Sequence, residues 1–453
     1  MQQFLERLNS VVWGIPLVML ICGVGIFLSV KTGFIQLRLF PKAIRMFLAQ
    51  FKNKEEKHNG EITPYRALCT ALAATAGTGN LAGVAGAIAI GGPGVIFWMW
   101  VSALLGMAIK FAEASLAVKF RIKTEEGSYA GGTMHMIERG LGKHCRFLAY
   151  LFCIFGVIAS FGIGNATQIN TVVIGVENIS EMLGAENSFV IRISLAVIIA
   201  ILMAISLSGG AVRIGSVAEQ LVPAASVCYL LLSFAVLALN ASNIPRAFSM
   251  IINGAFSPKT VTCGMVGSIF ITLRVGVSRG VFTNEAGMGT AGIAHSGSSV
   301  SHPVEQGMMG IMEVFLDTIV ICTMTGLVII CSGISVPYGV DSGVLLTMDA
   351  FRAVCGQWVV IPLTVSLVCF AVATILGWGL YGLRCAEFLF GKKFLKIFVL
   401  LQFVVTIIGA IANTGAVWLF SDIVNGLMAV PNLIALFLLS PELLRLVSEY
   451  TSA

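Results

Sequence analysis

Long apolar runs alternate with short polar or basic segments along almost the whole chain. In the first half the runs lie at about Val11 to Val30, Ala67 to Ile90, Val95 to Val118, Phe147 to Val176, Phe189 to Leu207 and Ile214 to Leu239. In the second half they lie at about Cys263 to His295 (interrupted), Val304 to Cys331, Val359 to Leu383, Phe398 to Asn413 and Ala416 to Leu439. A helix needs roughly 20 apolar residues to cross the hydrocarbon core of a bilayer. The pattern therefore predicts an all-α integral membrane protein with about 11 transmembrane helices, numbered spans 1 to 11 in chain order. Phe34 to Phe47 mixes apolar and basic residues, as expected of a helix lying in the interface. Gly343 to Gly356 reads as an outer surface helix, and the connection from Leu239 to Thr262, with Pro245 and Pro258, as an outer loop.

Span 2 is apolar enough to cross, yet it is a poor continuous helix. Gly77 and Gly79 each cost about 1 kcal/mol against alanine in a helix interior. Thr75, Thr78 and Asn80 put polar side chains beside them. In hydrocarbon a broken backbone is tolerated only where it lines a cavity or is buried in protein. Secondary transporters build their sites from such discontinuous helices, with amide groups for a carboxylate and freed carbonyls for a cation. The alternative is a packing face of small residues, since Gly79 and Gly83 have GxxxG spacing. Span 7 reads as a second broken helix, interrupted over Leu273 to Gly280 by Arg274, Gly276, Arg279 and Gly280, with a second piece from Thr283 to His295. Spans 2–6 and 7–11 are then two sets of five, each opening on its broken helix. A repeat with an odd number of spans returns inverted, which puts a site between the two breaks. The division this implies is 1–66 (an extra amino-terminal helix, basic loop and interfacial helix), 67–240 and 260–440 (the two inverted five-helix repeats), and 441–453 (the tail).

Charge sets the expected orientation. Lys31, Arg38, Lys42, Arg45, Lys52, Lys54, Lys57 and Arg66 follow span 1, and Lys119, Arg121, Lys123, Arg139, Lys143 and Arg146 follow span 3. Glu177, Glu181 and Glu186 lie between spans 4 and 5. Basic loops face the cytoplasm, so the amino terminus is expected outside and the tail inside a plasma (bacterial inner) membrane. Only 11% of the residues are charged, against about 25% in soluble domains. The net charge of +6 is spread between spans, which argues against a nucleic-acid partner. Met1 to Ser10 lacks a basic signal-peptide region and a cleavage site, so span 1 reads as retained. The 11 cysteines are scattered without Cys-x-x-Cys and read as small buried hydrophobes. Lys110 and Glu113 read as a snorkelling pair at the interface. Glu313 and Asp317 read as capping and pairing at an inner helix end, with Arg279 as partner. On this reading no carboxylate stands at mid-depth beside either break. The phosphate loop, the H-E-x-x-H metal motif and the G-x-S-x-G elbow are absent from the sequence, so no ATP-driven engine or enzyme is expected.

Several segments together resemble the alanine or glycine:cation symporters, also called sodium:alanine symporters. They are Thr75-Ala-Gly-Thr-Gly-Asn80-Leu-Ala-Gly83, Gly127-Ser-Tyr-Ala-Gly-Gly132-Thr-Met, Gly162-Ile-Gly-Asn165-Ala-Thr-Gln168, Arg279-Gly-Val-Phe-Thr-Asn284-Glu285-Ala-Gly-Met-Gly289, Ile293-Ala-His295, Glu313-Val-Phe-Leu-Asp317-Thr and Leu376-Gly-Trp378. The resemblance implies a leucine-transporter-like fold with one extra amino-terminal helix. It implies symport of a small neutral amino acid, alanine or glycine, with sodium, a proton being the alternative coupling ion. Substrate would meet the break of span 2 at Thr75, Gly77, Thr78, Gly79 and Asn80. Gln168 would hold its amino group, and Phe282 and Trp378 would wall the pocket. Thr374 would serve both substrate and sodium, with carbonyls around Ala74 and Gly77 completing the cation site. Two positions depart from the family pattern. Ala373 stands where a Ser or Thr usually precedes the equivalent of Thr374. Gly379-Leu-Tyr-Gly-Leu383 replaces Ser-Tyr-Tyr-Gly-Glu. Lipid is the expected surrounding, with no obligate protein partner. A channel or receptor on the same scaffold is the rival reading, which saturable, ion-gradient-dependent flux would exclude.

Overall fold

A computed structural model describes residues 2–52, 62–124, 127–184, 188–257, 269–339, 343–412 and 414–452. Lys54, Lys57, Glu186, Pro258, Thr262, Cys263 and Asn413 lie outside the described residues. Regular structure among the described residues is helical, apart from a short antiparallel pairing of Ile122–Lys123 with Tyr129–Ala130. Nine helices among them are long and apolar enough to cross a membrane, and the bent pair Pro64–Thr75 and Gly79–Gly91 makes a tenth. Span 7 is described from Ile269, and its first helix, Ile269–Asn284, is 16 residues long.

Two helices position everything else. Span 3 (Val95–Lys119) is buried along most of its length between spans 7 and 8. Span 9 (Val360–Phe390) is buried on nearly every side against spans 2, 4 and 6. Helices that are apolar all round belong in the middle of a bundle. Span 2 bends by 52° between its halves. Its first half stops at Thr75, and Gly79–Gly83 resumes as a wide π-helical turn. Spans 4 and 8 carry π-helical turns too, at Gly162–Ala166 and Phe315–Cys322. Such turns frequently mark functional positions.

Span 7 is broken, but not where its glycines and arginines suggest. The helix runs unbroken through Arg274 and Arg279, and the chain leaves it at Glu285–Thr290 before the short helix Ala291–His295. Gly276 and Gly280 are packing positions instead. A Cβ at Gly276 would lie 2.6 Å from Trp98 Cβ, and one at Gly280 would lie 3.0 Å from Ser102 Oγ. Small residues four apart let helices approach closely. The GxxxG reading of Gly79 and Gly83 finds no such support: a Cβ at Gly83 would meet nothing within 4 Å.

Other differences are smaller. Gly343–Cys355 is half-buried over the second half of span 2, where Thr347 Oγ1 donates to the Leu81 carbonyl at 3.0 Å. It is therefore not simply a surface helix. The loop after span 6 holds an amphipathic helix, Ile244–Phe256, with Pro245 in its first turn, where proline is tolerated. The tail is the helix Ser440–Ser452, which buries Leu443 and Leu446.

Candidate functional site

The break in span 2 is held from three directions. Thr374 Oγ1, on span 9, donates to the Ala73 carbonyl at 2.9 Å and to Phe370 O at 3.0 Å. The Thr78 N–H donates to Gln168 Oε1 at 3.4 Å, and Gln168 Nε2 donates to Ile163 O, a carbonyl in the span 4 π-turn, at 3.0 Å. Asn80 folds back, its Oδ1 accepting from the Gly77 N–H at 3.0 Å. Thr75, Thr78, Asn80, Gln168 and Thr374 are all buried. Thr75 Oγ1 is used within its own helix, on Ala71 O at 3.3 Å, whereas Thr78 Oγ1 has no hydrogen-bond partner among the described residues. The carbonyl that meets Thr374 is that of Ala73, one residue before the expected Ala74. Ala74 instead packs against Gly377.

Gly77 is small for a reason. A Cβ there would lie 2.5 Å from Thr374 Oγ1 and 3.3 Å from Gln168 Oε1. Gly77→Ala is therefore expected to abolish most solute uptake in vesicles at unchanged protein level, while Gly83→Ala, which meets open space, keeps it. Equal uptake by the two variants would show that Gly77 does not need its close approach.

Phe282 reaches the same centre, and Trp378 lies between the π-turn of span 4 and the break of span 7. The Phe282 ring lies 3.5 Å from where a Gly79 Cβ would stand and stacks obliquely on Trp418, centroids 5.5 Å apart. Trp378 is fully buried, its Nε1 donating to Glu285 Oε1 at 2.7 Å. Its Cβ and indole press on Gly164, leaving no room for a side chain there.

Charged residues are buried inside the helix bundle in a way that the sequence pattern does not foretell. Lys110 and Glu113 do not snorkel; both are buried. Lys110 Nζ pairs with Glu313 Oε1 at 3.0 Å, and Glu313 Oε2 meets His295 Nε2 at 2.9 Å. Glu113 Oε1 accepts from the N–H groups of Gly287 and Gly289, each at 3.0 Å, and from Asn432 Nδ2 at 2.7 Å. It thereby clamps the break of span 7. Asp317 is not paired with Arg279. It accepts from Asn80 Nδ2 at 2.7 Å and from Thr318 Oγ1 at 2.9 Å, so a carboxylate does stand beside the span 2 break. Arg279 pairs with Asp422 at 3.4 Å and lies over the Phe282 ring at 5.3 Å. A segment in π-helical register turns its side chains off the 3.6-residue pattern, which is why facing cannot be read from spacing around Asp317.

Two cavities approach this centre from opposite ends. One, of about 730 Å³, is lined by residues including Gly83, Thr171, Arg279, Trp418 and Asp422. The other, of about 710 Å³, is lined on the basic end by residues including Leu207, Gly297, Arg384 and Lys392. Neither is lined by Thr78, Gly79, Gln168 or Trp378.

Comparison with known proteins identifies both the fold and the family. The crystal structure of MhsT in complex with L-phenylalanine superposes with a TM-score of 0.60 over 84% of this chain and 90% of that one, at 15% identity. The fold is therefore that of the leucine transporter. The sodium/alanine symporter AgcS of Methanococcus maripaludis is 42% identical over 439 residues, 96% of this chain and 94% of its own length. The probable sodium/glutamine symporter GlnT of Bacillus subtilis is 34% identical over 457 residues, covering 100% of this chain and 92% of its own. The family model described as the sodium:alanine symporter family matches residues 1–453. The chain is thus a multi-pass membrane transporter, not an enzyme, and belongs to the sodium:alanine symporter family of sodium-coupled amino-acid symporters.

Proposed function

We propose that this protein imports a small neutral amino acid, alanine or glycine, with sodium, binding both at the break of span 2. The carrying observation is the convergence at Thr78 and Gly77: an unpaired buried Thr78 hydroxyl, the Gln168 amide and the Thr374 hydroxyl all reach one interruption of the backbone. In this reading Thr75, Gly77, Thr78, Gly79 and Asn80 form the cradle, with helix-terminal amides and Thr78 Oγ1 for the substrate carboxylate. Gln168 Oε1 takes the ammonium group. Phe282 and Trp378 leave space for a small side chain only. Thr374 and the carbonyls at Ala73, Ala74 and Gly77 supply sodium with oxygen ligands, the chemistry of discontinuous-helix ion sites. The names of AgcS and GlnT support a neutral amino acid and sodium; the bulk of Phe282 and Trp378 favours alanine or glycine over glutamine. Orientation follows the basic loops, with the amino terminus outside and the tail cytoplasmic.

A second reading, proton coupling, draws on Asp317. Intramembrane carboxylates mark proton relays, and this one hydrogen-bonds to Asn80 of the cradle. Counterflow of labelled alanine in proteoliposomes, with sodium and pH varied separately, tests both. Uptake that needs sodium at constant pH is the expected result; uptake that ignores sodium but follows an imposed pH gradient would replace the first reading by the second. Gln168→Ala is expected to weaken alanine binding by about tenfold to a hundredfold, the worth of hydrogen bonds to a charged group. Unchanged binding by the purified variant would reduce Gln168 to a packing residue.

A further inference from the structure

We propose that Glu285 is a positioning residue that sets the substrate size limit, by fixing the indole of Trp378. The proposal rests on the reading of Trp378 as a pocket wall.

Glu285 occupies a costly backbone conformation. Its φ is 55°, and only Phe34 shares a positive φ among the described non-glycine residues. A Cβ clashes with the backbone in that region, which glycine tolerates. Gly287 and Gly289 take up positive φ a few residues on. A glutamate standing where glycine would relax the chain points to a use for its side chain.

Both carboxylate oxygens are occupied. Oε1 accepts from Trp378 Nε1 at 2.7 Å, and Oε2 accepts from Thr290 Oγ1 at 2.6 Å. Thr290 precedes the short helix Ala291–His295. One side chain therefore ties together the two sides of the span 7 break and joins both to span 9. On its other side the indole rests on Gly164, in the π-turn of span 4. Trp378 has two rotatable side-chain bonds. A hydrogen bond at one edge and a glycine against the other side leave it one orientation. Thr374 and Gly377, within one turn of Trp378, touch the break of span 2. The indole is thus held against the irregular segments of spans 7 and 4 and, through its neighbours on span 9, is tied to the break of span 2.

A buried glutamate that merely satisfies a tryptophan N–H would affect folding and leave selectivity alone. The two roles separate in two variants. Glu285→Gly deletes the carboxylate and also relieves the left-handed backbone, so strain introduced by the change cannot account for its effect. Glu285→Gln keeps an acceptor oxygen for the indole.

The test uses full-length protein labelled with 5-fluorotryptophan. The Trp378 fluorine resonance is assigned with Trp378→Phe, and competition by leucine and methionine against labelled alanine is measured in parallel. In Glu285→Gly the Trp378 resonance should shift or broaden, and the larger amino acids should compete about tenfold more strongly, comparable to the discrimination one or two methylenes provide. Glu285→Gln should retain most of the size limit. If Trp378→Phe and Trp378→Leu relax selectivity but Glu285→Gly does not, the role of Glu285 is overturned and the pocket wall stands. If neither the Trp378 variants nor Glu285→Gly relaxes selectivity, the pocket-wall reading falls and the proposal with it. An unshifted Trp378 resonance in Glu285→Gly overturns the positioning role directly.

Discussion

Lys110→Met is expected to cause a large loss of folded-state stability. The ammonium group is fully buried 3.0 Å from Glu313 Oε1. Glu313 in turn meets His295, and His295 Nδ1 meets Gln306 Nε2 at 2.6 Å, with every partner buried. Removing the cation leaves the buried Glu313 carboxylate with His295 on one oxygen and no lysine opposite the other. Breaking a buried pair in this way costs about 3–5 kcal/mol, whereas replacing both members by apolar groups is often neutral. The backbone cannot relax to admit water, because spans 3 and 8 are close-packed: a Cβ at Gly310 would lie 2.9 Å from the Lys110 carbonyl. The expected pattern is therefore a large drop in unfolding temperature for Lys110→Met, most of it recovered in Lys110→Met with Glu313→Leu. A thiol-reactive dye reads it, since Cys69, Cys153, Cys322, Cys331 and Cys385 are buried and become reactive only on unfolding. A single variant as stable as the parent would show that the pair is not structural.

The parts of this architecture that the sequence exposes are those that composition alone determines. Span lengths follow from apolar run length, and the break of span 2 follows from glycines set beside Thr75, Thr78 and Asn80. The break of span 7 is harder to place because glycine has two uses in a membrane helix. Gly276 and Gly280 admit Trp98 and Ser102, while Gly287 and Gly289, with positive φ, carry the turn. Only the partner helix tells these apart. The buried charges are hidden for a related reason. Lys110 and Glu113 are three residues apart on one helix, which suggests a mutual pair, yet each finds its partners on other spans. Asp317 lies in a π-helical turn, so its facing does not follow from a regular period. The Ala73 carbonyl has no signature at all, being a backbone atom freed only by the bend.

Asp317 links the two breaks, and its loss is expected to weaken alanine binding strongly without the collapse predicted for Lys110→Met. Gly77 N–H donates to Asn80 Oδ1, and Asn80 Nδ2 donates to Asp317 Oδ1. Thr318 Oγ1 donates to Asp317 Oδ2 and accepts from Asn284 Nδ2 at 3.0 Å, while Asn284 Oδ1 accepts from the Ala286 N–H at 2.9 Å. The path runs from the cradle of span 2 through the π-turn of span 8 to the turn of span 7. With Asp317→Ala, Asn80 loses its shortest acceptor and keeps only the longer contacts to the Asp317 carbonyl and Cys322 Sγ, each at 3.3 Å. Hydrogen bonds to charged groups contribute about 1.5–3 kcal/mol each, so alanine affinity should fall by roughly tenfold to a hundredfold if Asn80 holds Gly77 in its binding geometry. Asp317→Asn keeps an acceptor and should lose less. The same variant separates the two coupling ions. In the sodium reading, uptake by Asp317→Asn still requires sodium and responds to pH as the parent does. In the proton reading, its response to an imposed pH gradient disappears. Unaltered alanine affinity in Asp317→Ala would mean that the two breaks are set independently, and that the path between them plays no part in binding.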